Sequence, residues 1–401
     1  MAQLSDRLNR LAPSATLAMS QKSSEMKAQG IDVINMSVGE PDFNTPDHIK
    51  NAAKEAVDNN YSRYSPVPGY ADLRKAIAAK LKRENHLEYN INEILVSNGA
   101  KQSVCNTVMA LVNDGDEVII PTPYWVSYPQ MVKLAGGNPV HYICDESSGW
   151  YPDIEDMEKK ITDKTKGIVV INPNNPTGAL YPKEILEKIV ELARKHELMI
   201  FADEIYDRLV LDGKTHTSIA SLAPDLFVVT FNGLSKSHRI AGFRSGWMVL
   251  SGDLSKAKGY IEGVNMLSSM RLCANVPAQH VIAPALRNRP EVDDLLLPGG
   301  RIYEQRKVIC DAIAEIDGLS AVTPEAAFYI FPKIDAKRFH ILDDEKFALD
   351  FLREKHVLLV HGRGFNWEAP DHFRIVYLPE VAVLDECMTK MKEFLADYQQ
   401  K

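Results

Sequence analysis

The chain has 401 residues, of which 45% are hydrophobic and 25% are charged, and its formal net charge is −8. This acidic balance argues against a nucleic-acid-binding protein, because such a protein needs an excess of Lys and Arg to neutralise phosphates. A chain of this length also exceeds what one hydrophobic core normally supports, so the sequence predicts two domains.

Five cysteines lie far apart and form no Cys-x-x-Cys pair. Their number and spacing therefore predict neither a disulfide framework nor a metal cluster, and they fit a reducing compartment. The N-terminus has no sustained apolar segment of the kind that signal peptides carry. No apolar run elsewhere approaches the roughly 20 residues that cross a membrane. We therefore expect a cytoplasmic protein without a metal.

Through the middle of the chain, short apolar runs alternate with amphipathic helical segments such as Lys183–His196. Each run has the length of a strand that is buried on both faces, as in parallel sheets. Alternation of this kind predicts an α/β domain with a mostly parallel sheet flanked by helices. The runs are Glu117–Ile120, Gly167–Ile171, Leu198–Ala202, Leu226–Phe231 and Gly246–Leu250.

The last hundred residues follow a different pattern. After a break at Pro298-Gly-Gly300, a long helical pattern at Arg301–Ile316 precedes three strand-like segments and a final helix. This order predicts a smaller α+β domain. We expect an N-terminal arm at residues 1–45 that packs against the small domain, a large domain at 46–296 and the small domain at 297–401. The strand-like segments are Phe328–Phe331, Val357–Val360 and Phe373–Val376.

Chemically capable side chains follow four successive strands of the predicted sheet. In open α/β sheets, ligands bind beyond the carboxyl ends of the strands. Because four such segments converge on one edge of the sheet, they predict a ligand site there. The segments are Pro121–Trp125, Asn172–Gly178, Asp203–Tyr206 and Asn232–Lys236.

Lys236 directly follows a predicted strand, and Ser235 and Arg244 flank it in the same loop. A partly desolvated lysine has a lowered pKa and can form a Schiff base with an aldehyde. A hydroxyl and a guanidinium suit a phosphate dianion. The alternative for this segment is a solvated loop with ordinary basic residues.

Asp203 follows a strand of apolar residues, where an acid is costly unless a cation pairs with it. A protonated pyridine nitrogen is one such cation, and the pairing keeps the ring able to withdraw electrons. The alternative is an acidic N-cap at a strand-to-helix turn. Tyr206, three residues later, either donates to the phenolic oxygen of such a ring or is a tyrosine of the core.

Three further segments carry candidate binding groups. Prolines fix the backbone around Asn175 and hold its amide in place, although a plain turn is the alternative. Ser97–Gln102 precedes a helical stretch, whose first N–H groups bind anions while Gly99 lets a ligand approach closely. Arg374 lies in an apolar strand and either binds a substrate carboxylate or forms a structural ion pair.

Three motifs in this order resemble the class I aminotransferases of pyridoxal-5′-phosphate (PLP) fold type I. They are Asn172-Pro-Asn-Asn-Pro-Thr-Gly178, Ala202-Asp-Glu-Ile-Tyr206, and Ser235-Lys followed by Gly242-Phe-Arg244. The resemblance covers essentially the whole chain. It implies that the large domain binds PLP and that two subunits of a homodimer share their active sites.

The resemblance implies a role in cofactor binding for each matching residue. Lys236 is expected to form the Schiff base and to shuttle the proton. Asp203 is expected to pair with the ring nitrogen, and Tyr206 and Asn175 with the ring oxygen, while Trp125 stacks on the ring. The residues expected around the phosphate are Gly99, Ala100, Ser235 and Arg244, with Tyr64 contributed by the neighbouring subunit. Lys101 is also expected to bind the cofactor.

For the substrate, the resemblance implies that Arg374 binds the α-carboxylate, assisted by Asn175 and by the backbone of Gly39. The reaction is expected to follow a ping-pong mechanism, with glutamate and 2-oxoglutarate as one substrate pair.

The second pair stays open between alanine/pyruvate and aspartate/oxaloacetate. Residues 1 to about 138 resemble prokaryotic aspartate aminotransferases, whereas the rest resembles bacterial glutamate–pyruvate aminotransferases. In the aspartate branch, residues matching Ser14, Thr16 and Lys101 read the distal carboxylate.

Other functional classes remain to be weighed. A PLP-dependent lyase or decarboxylase is possible on the same scaffold, because the scaffold fixes the cofactor more than the reaction. A non-catalytic PLP-binding regulator would need a fused DNA-binding segment, and no basic N-terminal domain is present. A nicotinamide-dependent dehydrogenase would carry a G-x-G-x-x-G fingerprint, which is absent.

Overall fold

The computed structural model describes residues 3–11, 17–287 and 292–401. Within these ranges no helix has both the length and the apolar composition needed to span a membrane. The α-helices are α1 (Asp6–Asn9), α2 (Leu17–Ala28), α3 (Asp47–Asp58), α4 (Ala71–Asn85), α5 (Ala100–Leu111), α6 (Ser127–Leu134), α7 (Ile154–Lys159), α8 (Lys183–Lys195), α9 (Lys258–Met270), α10 (Val276–His280), α11 (Ile282–Leu286), α12 (Arg301–Ala314), α13 (Asp344–Lys355) and α14 (Val381–Asp397).

The strands form one large sheet and several small ones. They are β1 (Ile34–Asn35), β2 (Ile94–Asn98), β3 (Glu117–Thr122), β4 (Asn138–Asp145), β5 (Tyr151–Pro152), β6 (Thr165–Ile171), β7 (Met199–Asp203), β8 (Val228–Gly233), β9 (Ser245–Ser251), β10 (Leu319–Ser320), β11 (Tyr329–Ile330), β12 (Lys333–Ile334), β13 (Val357–Leu358), β14 (Val360–His361) and β15 (Phe373–Val376).

The described residues form an eight-stranded sheet in the order β2-β9-β8-β7-β6-β3-β4-β5. Its central strands β8, β7, β6, β3 and β4 are parallel. Helices cover both faces: along β6, Ile168 and Val170 share a core with α8, whereas Val169 and Ile171 share one with α5. The predicted α/β class and the mostly parallel sheet are therefore confirmed.

The direction of β9 differs from the prediction. The run Gly246–Leu250 was expected to behave as a parallel strand, but β9 pairs antiparallel with both β8 and β2. Every residue of β9 is buried, because neighbouring strands and helices enclose it completely. Hydropathy reports burial on both faces and carries no information on strand direction, so the pattern could not reveal this.

A separate hydrophobic core joins the N-terminal segment to the C-terminal hundred residues. Met19, Met26 and Met36 are buried together with side chains of α12, α13, α14 and β15. In addition, β1 pairs in parallel with β13. This packing agrees with the expected association of the arm with the small domain, while the exact domain boundaries stay a prediction.

Candidate active site

A cavity of about 500 Å³ lies at the carboxyl ends of the parallel strands. It is lined by residues of β6, β7, β11, β15 and α5 and of the loops that follow β3, β6, β7 and β8. Eleven of the predicted site residues line it: Gly39, Ala100, Lys101, Trp125, Asn175, Asp203, Tyr206, Ser235, Lys236, Arg244 and Arg374.

Two predicted residues of the described ranges do not line this cavity in the single chain. Gly99 lies immediately beside it, next to Arg244. Tyr64 lies outside the cavity, and 81% of its surface is exposed. Thr16, together with Ser14, lies outside the residues that the structure describes.

The Lys236 amine points into the cavity and donates to the Gly39 carbonyl oxygen at 2.6 Å. Burial lowers its pKa to about 8, and the positive charges of Arg374, Arg244 and Lys101 act in the same direction. An amine with this pKa is neutral in a substantial fraction of molecules at mildly alkaline pH, and the neutral form is the nucleophile and base.

Asp203 ends β7 as a fully buried carboxylate. It accepts hydrogen bonds from the Tyr128 hydroxyl at 2.6 Å and from the Ile205 backbone N–H at 3.2 Å. Burial raises its pKa, and the Tyr128 hydrogen bond opposes that rise. No Lys, Arg or His of the described ranges forms an ion pair with Asp203, so the chain leaves room for an external cation. A turn follows Asp203 in place of the helix that the N-cap alternative requires.

Arg374 projects from β15 and is held in a defined position. Its guanidinium donates to the Asn175 side-chain oxygen at 3.0 Å and to the Ser37 carbonyl oxygen. The group lies between two aromatic rings, 4.9 Å from the centre of Tyr329 and 4.7 Å from that of Phe365. Its buried Nε has no acceptor among the described residues, so one N–H donor stays available at this position.

The opposite end of the cavity combines a helix N-terminus with basic side chains. Gly99 precedes α5 with φ +77°, and a Cβ there would lie 2.1 Å from Arg244 Nη2. Only glycine therefore lets the guanidinium approach the start of α5, whose free N–H groups favour an anion. Ser235 is buried nearby, and Arg244 itself is exposed.

Lys101 and Trp125 form a pair on one wall of the cavity. The Lys101 amine lies 4.2 Å from the centre of the Trp125 ring, within the range of a cation–π interaction. Burial lowers the pKa of Lys101, and the charge of Arg244 adds to this effect. Lys101 thus places a second amine in the cavity, and its charge also lowers the pKa of Lys236.

With this geometry established, the family can be assigned. The sequence model described as "Aminotransferase class I and II" matches residues 31–389. The chain belongs to the class I and II aminotransferases. A crystal structure of an aminotransferase from Escherichia coli superposes with a TM-score of 0.97 at 46% identity, covering all of both chains.

Named relatives of this aminotransferase come from both branches of the resemblance. The glutamate-pyruvate aminotransferase AlaA of Haemophilus influenzae is 47% identical over 399 residues, covering 99% of this chain and 98% of the relative. The aspartate aminotransferase of Bacillus sp. strain YM-2 is 38% identical over 397 residues, covering 98% and 99%. The predicted family and the predicted enzyme class are confirmed.

Two residues of this aminotransferase that the sequence analysis missed contact the central groups. Tyr128 donates to Asp203, and the Tyr329 hydroxyl lies 2.8 Å from the Tyr206 hydroxyl. Tyr128 stands three residues after Trp125, and an inspection of that segment could have found it. Tyr329 was hidden in an apolar run, because only the pairing of β11 with β15 places it beside Arg374.

Proposed function

We propose that this aminotransferase binds PLP in the cavity and transfers an amino group between a small L-amino acid and a 2-keto acid. The observation that carries this proposal is the meeting of Lys236, Asp203 and Arg374 around one enclosed space. The alternative roles were a solvated loop for Lys236, an N-cap for Asp203 and a structural ion pair for Arg374. None of them accounts for the meeting of the three side chains in one cavity.

The donor set fits PLP at three positions. A buried carboxylate that forms no ion pair within the described ranges suits a ring nitrogen that carries a proton. The N-terminus of α5 with Ser235 and Arg244 suits a phosphate dianion. The Lys236 amine, with its pKa lowered to about 8, suits condensation with an aldehyde. When bound, PLP supplies that aldehyde and a ring that withdraws electrons from the carbon next to the amine.

Lys236 is then the group that moves the proton. Its neutral amine would take the α-proton of the bound amino acid as a general base and would then give that proton up as a general acid. The Gly39 carbonyl oxygen, 2.6 Å from Nζ, provides a resting position for the amine within the cavity. The lowered pKa matters here, because a fully protonated amine could not accept the α-proton.

Asp203 would stabilise the positive ring nitrogen of the cofactor, and Tyr206 would stabilise its ring oxygen. The carboxylate stays where a positive ring nitrogen would stabilise it, and Tyr128 fixes its orientation through the 2.6 Å hydrogen bond. The Tyr206 hydroxyl and the Asn175 amide are the proposed donors to the ring oxygen. These donors are buried and already fixed, so they need little reorganisation during the reaction.

Arg374 binds the α-carboxylate of the substrate in this proposal. The planar guanidinium can donate two parallel hydrogen bonds to a carboxylate. Its contacts with Asn175, Tyr329 and Phe365 hold it in one orientation before the substrate arrives. Holding the carboxylate would fix the substrate in the cavity that the Lys236 amine also lines, and such positioning is a large part of the rate enhancement.

For the amino donor we propose alanine with 2-oxoglutarate as acceptor, and aspartate as the second candidate. The glutamate-pyruvate relative shares the higher identity, 47%, which supports alanine. Lys101 lines the cavity, and its amine is a suitable partner for a distal carboxylate, which supports aspartate.

We further propose a homodimer in which Tyr64 reaches the phosphate of the partner subunit's site. Tyr64 is exposed beside a group of exposed apolar side chains on and after α9: Met266 at 65%, Met270 at 76% and Leu272 at 49%. A contact joins the two parts of this surface, because the Ser65 N–H donates to the Cys273 sulfur. Exposed apolar groups gathered in this way are typical of a subunit interface.

Product analysis tests the proposed reaction against a lyase or a decarboxylase. The purified protein is loaded with PLP and incubated with L-alanine, with and without 2-oxoglutarate. Multiple turnovers to pyruvate and glutamate that require the acceptor are the expected result. Release of ammonia or CO₂ in the absence of the acceptor would contradict transamination.

A further inference from the structure

Two buried hydroxyl groups meet beside the proposed substrate and cofactor positions. The oxygen atoms of Tyr206 and Tyr329 lie 2.8 Å apart, and their rings meet edge to face at 88°. Both side chains line the cavity, although Tyr206 is only 4% exposed and Tyr329 only 1%. Within the described parts of the chain, each hydroxyl has the other as its only hydrogen-bond partner.

A count of protons leaves two arrangements for this pair. Each tyrosine hydroxyl has one proton to donate and can accept through its oxygen. If Tyr206 donates to Tyr329, the Tyr206 proton is used and cannot serve a ligand. If Tyr329 donates to Tyr206, the Tyr206 proton is left to point into the cavity.

The charges around the pair favour the second arrangement. Burial raises the pKa of both hydroxyls, and at Tyr329 the nearby Arg374 charge is the largest contribution that opposes this rise. At Tyr206 the two largest contributions after burial both come from Tyr329, and both raise the pKa further. The Arg374 guanidinium lies 4.9 Å from the centre of the Tyr329 ring, and a positive charge at this distance favours Tyr329 as the donor of the pair. The charged groups that face the pair are Arg374 and Asp203, and the Lys236 amine lines the same cavity.

The position of the Tyr329 hydroxyl is fixed by Gly39. A Cβ at residue 39 would lie 2.1 Å from the Tyr329 hydroxyl oxygen, so the hydroxyl occupies the space that any other side chain would need. The backbone carbonyl of the same glycine accepts from Lys236. Residue 39 therefore contacts both groups, and the contact with Tyr329 requires glycine at this position.

We propose that Tyr329 is a positioning residue that donates its hydroxyl proton to Tyr206 and thereby directs the Tyr206 proton toward the ring oxygen of the bound cofactor. This inference rests on the proposed function. A hydrogen bond received by Tyr206 polarises it and makes it a stronger donor in turn. The Tyr329 ring also packs against the Arg374 guanidinium and helps to hold it in place.

The test titrates the visible absorption band of the PLP-loaded protein against pH. The absorption band changes when the PLP-loaded site loses a proton, and the ring oxygen carries more negative charge after that loss. A hydrogen bond from Tyr206 stabilises this negative charge, so a weaker Tyr206 donor raises the pKa of the titration. Tyr329→Phe removes the hydroxyl and keeps the ring beside Arg374. We expect a rise of roughly half a unit to one unit, the size of one hydrogen bond.

A double-mutant comparison shows whether Tyr329 acts through Tyr206. Tyr206→Phe should raise the pKa of the band by more than Tyr329→Phe does, and adding Tyr329→Phe to it should cause no further rise. Gly39→Ala, which displaces the hydroxyl, is a second route to the same shift. Tyr142→Phe is the matched control, because its buried hydroxyl donates to Val169 O at 2.8 Å away from the cavity.

The outcomes separate this inference from the proposed function. Three results together support the relay. The pKa of the band rises in Tyr329→Phe, it stays unchanged in Tyr142→Phe, and adding Tyr329→Phe to Tyr206→Phe causes no further rise. A downward shift would mean that Tyr206 donates to Tyr329, and no shift would mean that the contact is only structural; either result overturns the inference. A wild-type protein without any visible band would overturn the proposed function, and the relay with it.

Discussion

The two ends of the cavity differ in how completely one chain builds them. At the end with Asp203, Tyr206 and Arg374, the side chains are buried, and Tyr128, Tyr329 and Asn175 fix them through hydrogen bonds. At the other end Arg244 is exposed, and this chain's own Tyr64 lies exposed outside the cavity.

This difference indicates which parts of the site are ready before a ligand binds. Groups that stabilise developing charge act best when they are already oriented in a dry environment. The phosphate-binding end needs charge and access more than rigidity, and in our proposal a second subunit completes it. Substitutions at the two ends should therefore have effects of different kinds and sizes.

The largest effect is expected for Lys236→Ala. This variant removes the proposed base and the proposed attachment point of the cofactor, so turnover should fall by at least about 10³-fold. The visible absorbance of the loaded protein should also be lost. A steady-state assay with added methylamine is the control, because a small external amine partly replaces a missing base. Turnover like that of the wild type would exclude Lys236 from the mechanism.

The free energy of unfolding should respond most to substitutions beneath the end of the cavity that contains Asp203, Tyr206 and Arg374. Lys80 is 2% exposed and forms an ion pair with Asp207, which follows Tyr206 in the same turn. Lys80→Met leaves a buried carboxylate without its partner, which should lower the free energy of unfolding by about 3–5 kcal/mol. Urea denaturation measures this change.

The same helix provides the control for Lys80. Lys82 pairs with Glu88 in full contact with solvent. Lys82→Met should leave the unfolding midpoint unchanged, because exposed pairs of this kind add little. Equal effects of the two substitutions would show that the burial of the Lys80 pair is unimportant.

Glu204 provides a prediction for pH dependence. Burial raises its pKa from 4.5 to about 8, and the negative charge of Asp207 adds to this, while Lys80 and the Ser218 hydrogen bond oppose it. The folded state therefore holds this proton more tightly than the unfolded state does. The resulting stabilisation is complete below pH 4.5 and is lost as the pH rises through about 8.

Glu204→Gln keeps the shape and removes the titration. Its free energy of unfolding should fall less between pH 5 and pH 9 than that of the wild type. Urea denaturation at both pH values measures the difference. An identical fall in both proteins would assign the pH dependence to other groups.

The smallest effect is expected at the proposed phosphate-binding end of the cavity. Tyr64→Phe removes one proposed hydrogen bond from the partner subunit to the phosphate, which should weaken PLP binding by roughly 2- to 10-fold. Light scattering should show a dimer for both proteins. If PLP dissociation from Tyr64→Phe matches that from the wild type, Tyr64 does not contact the cofactor.

The sequence could predict the elements that depend on local pattern. The run Gly167–Ile171 became β6, and Asp203 and Lys236 were found because Asp203 ends the buried strand β7 and Lys236 lies in the loop after the buried strand β8. Residues whose role depends on distant pairing could not be found in this way. Tyr329 reaches Arg374 only through the register of β11 with β15, and the direction of β9 depends on its neighbours in the sheet.

The most direct test of the central claim is a single half-reaction. PLP-loaded protein is mixed with L-alanine alone, without a keto-acid acceptor, and pyruvate and the visible band are followed together. We predict loss of the band with release of one pyruvate per active site and no further turnover, because the amino group stays on the enzyme until an acceptor arrives. Continuous formation of product without an acceptor would contradict the account. So would a band that stays unchanged with L-alanine and also when the mixture is repeated with L-aspartate and with L-glutamate.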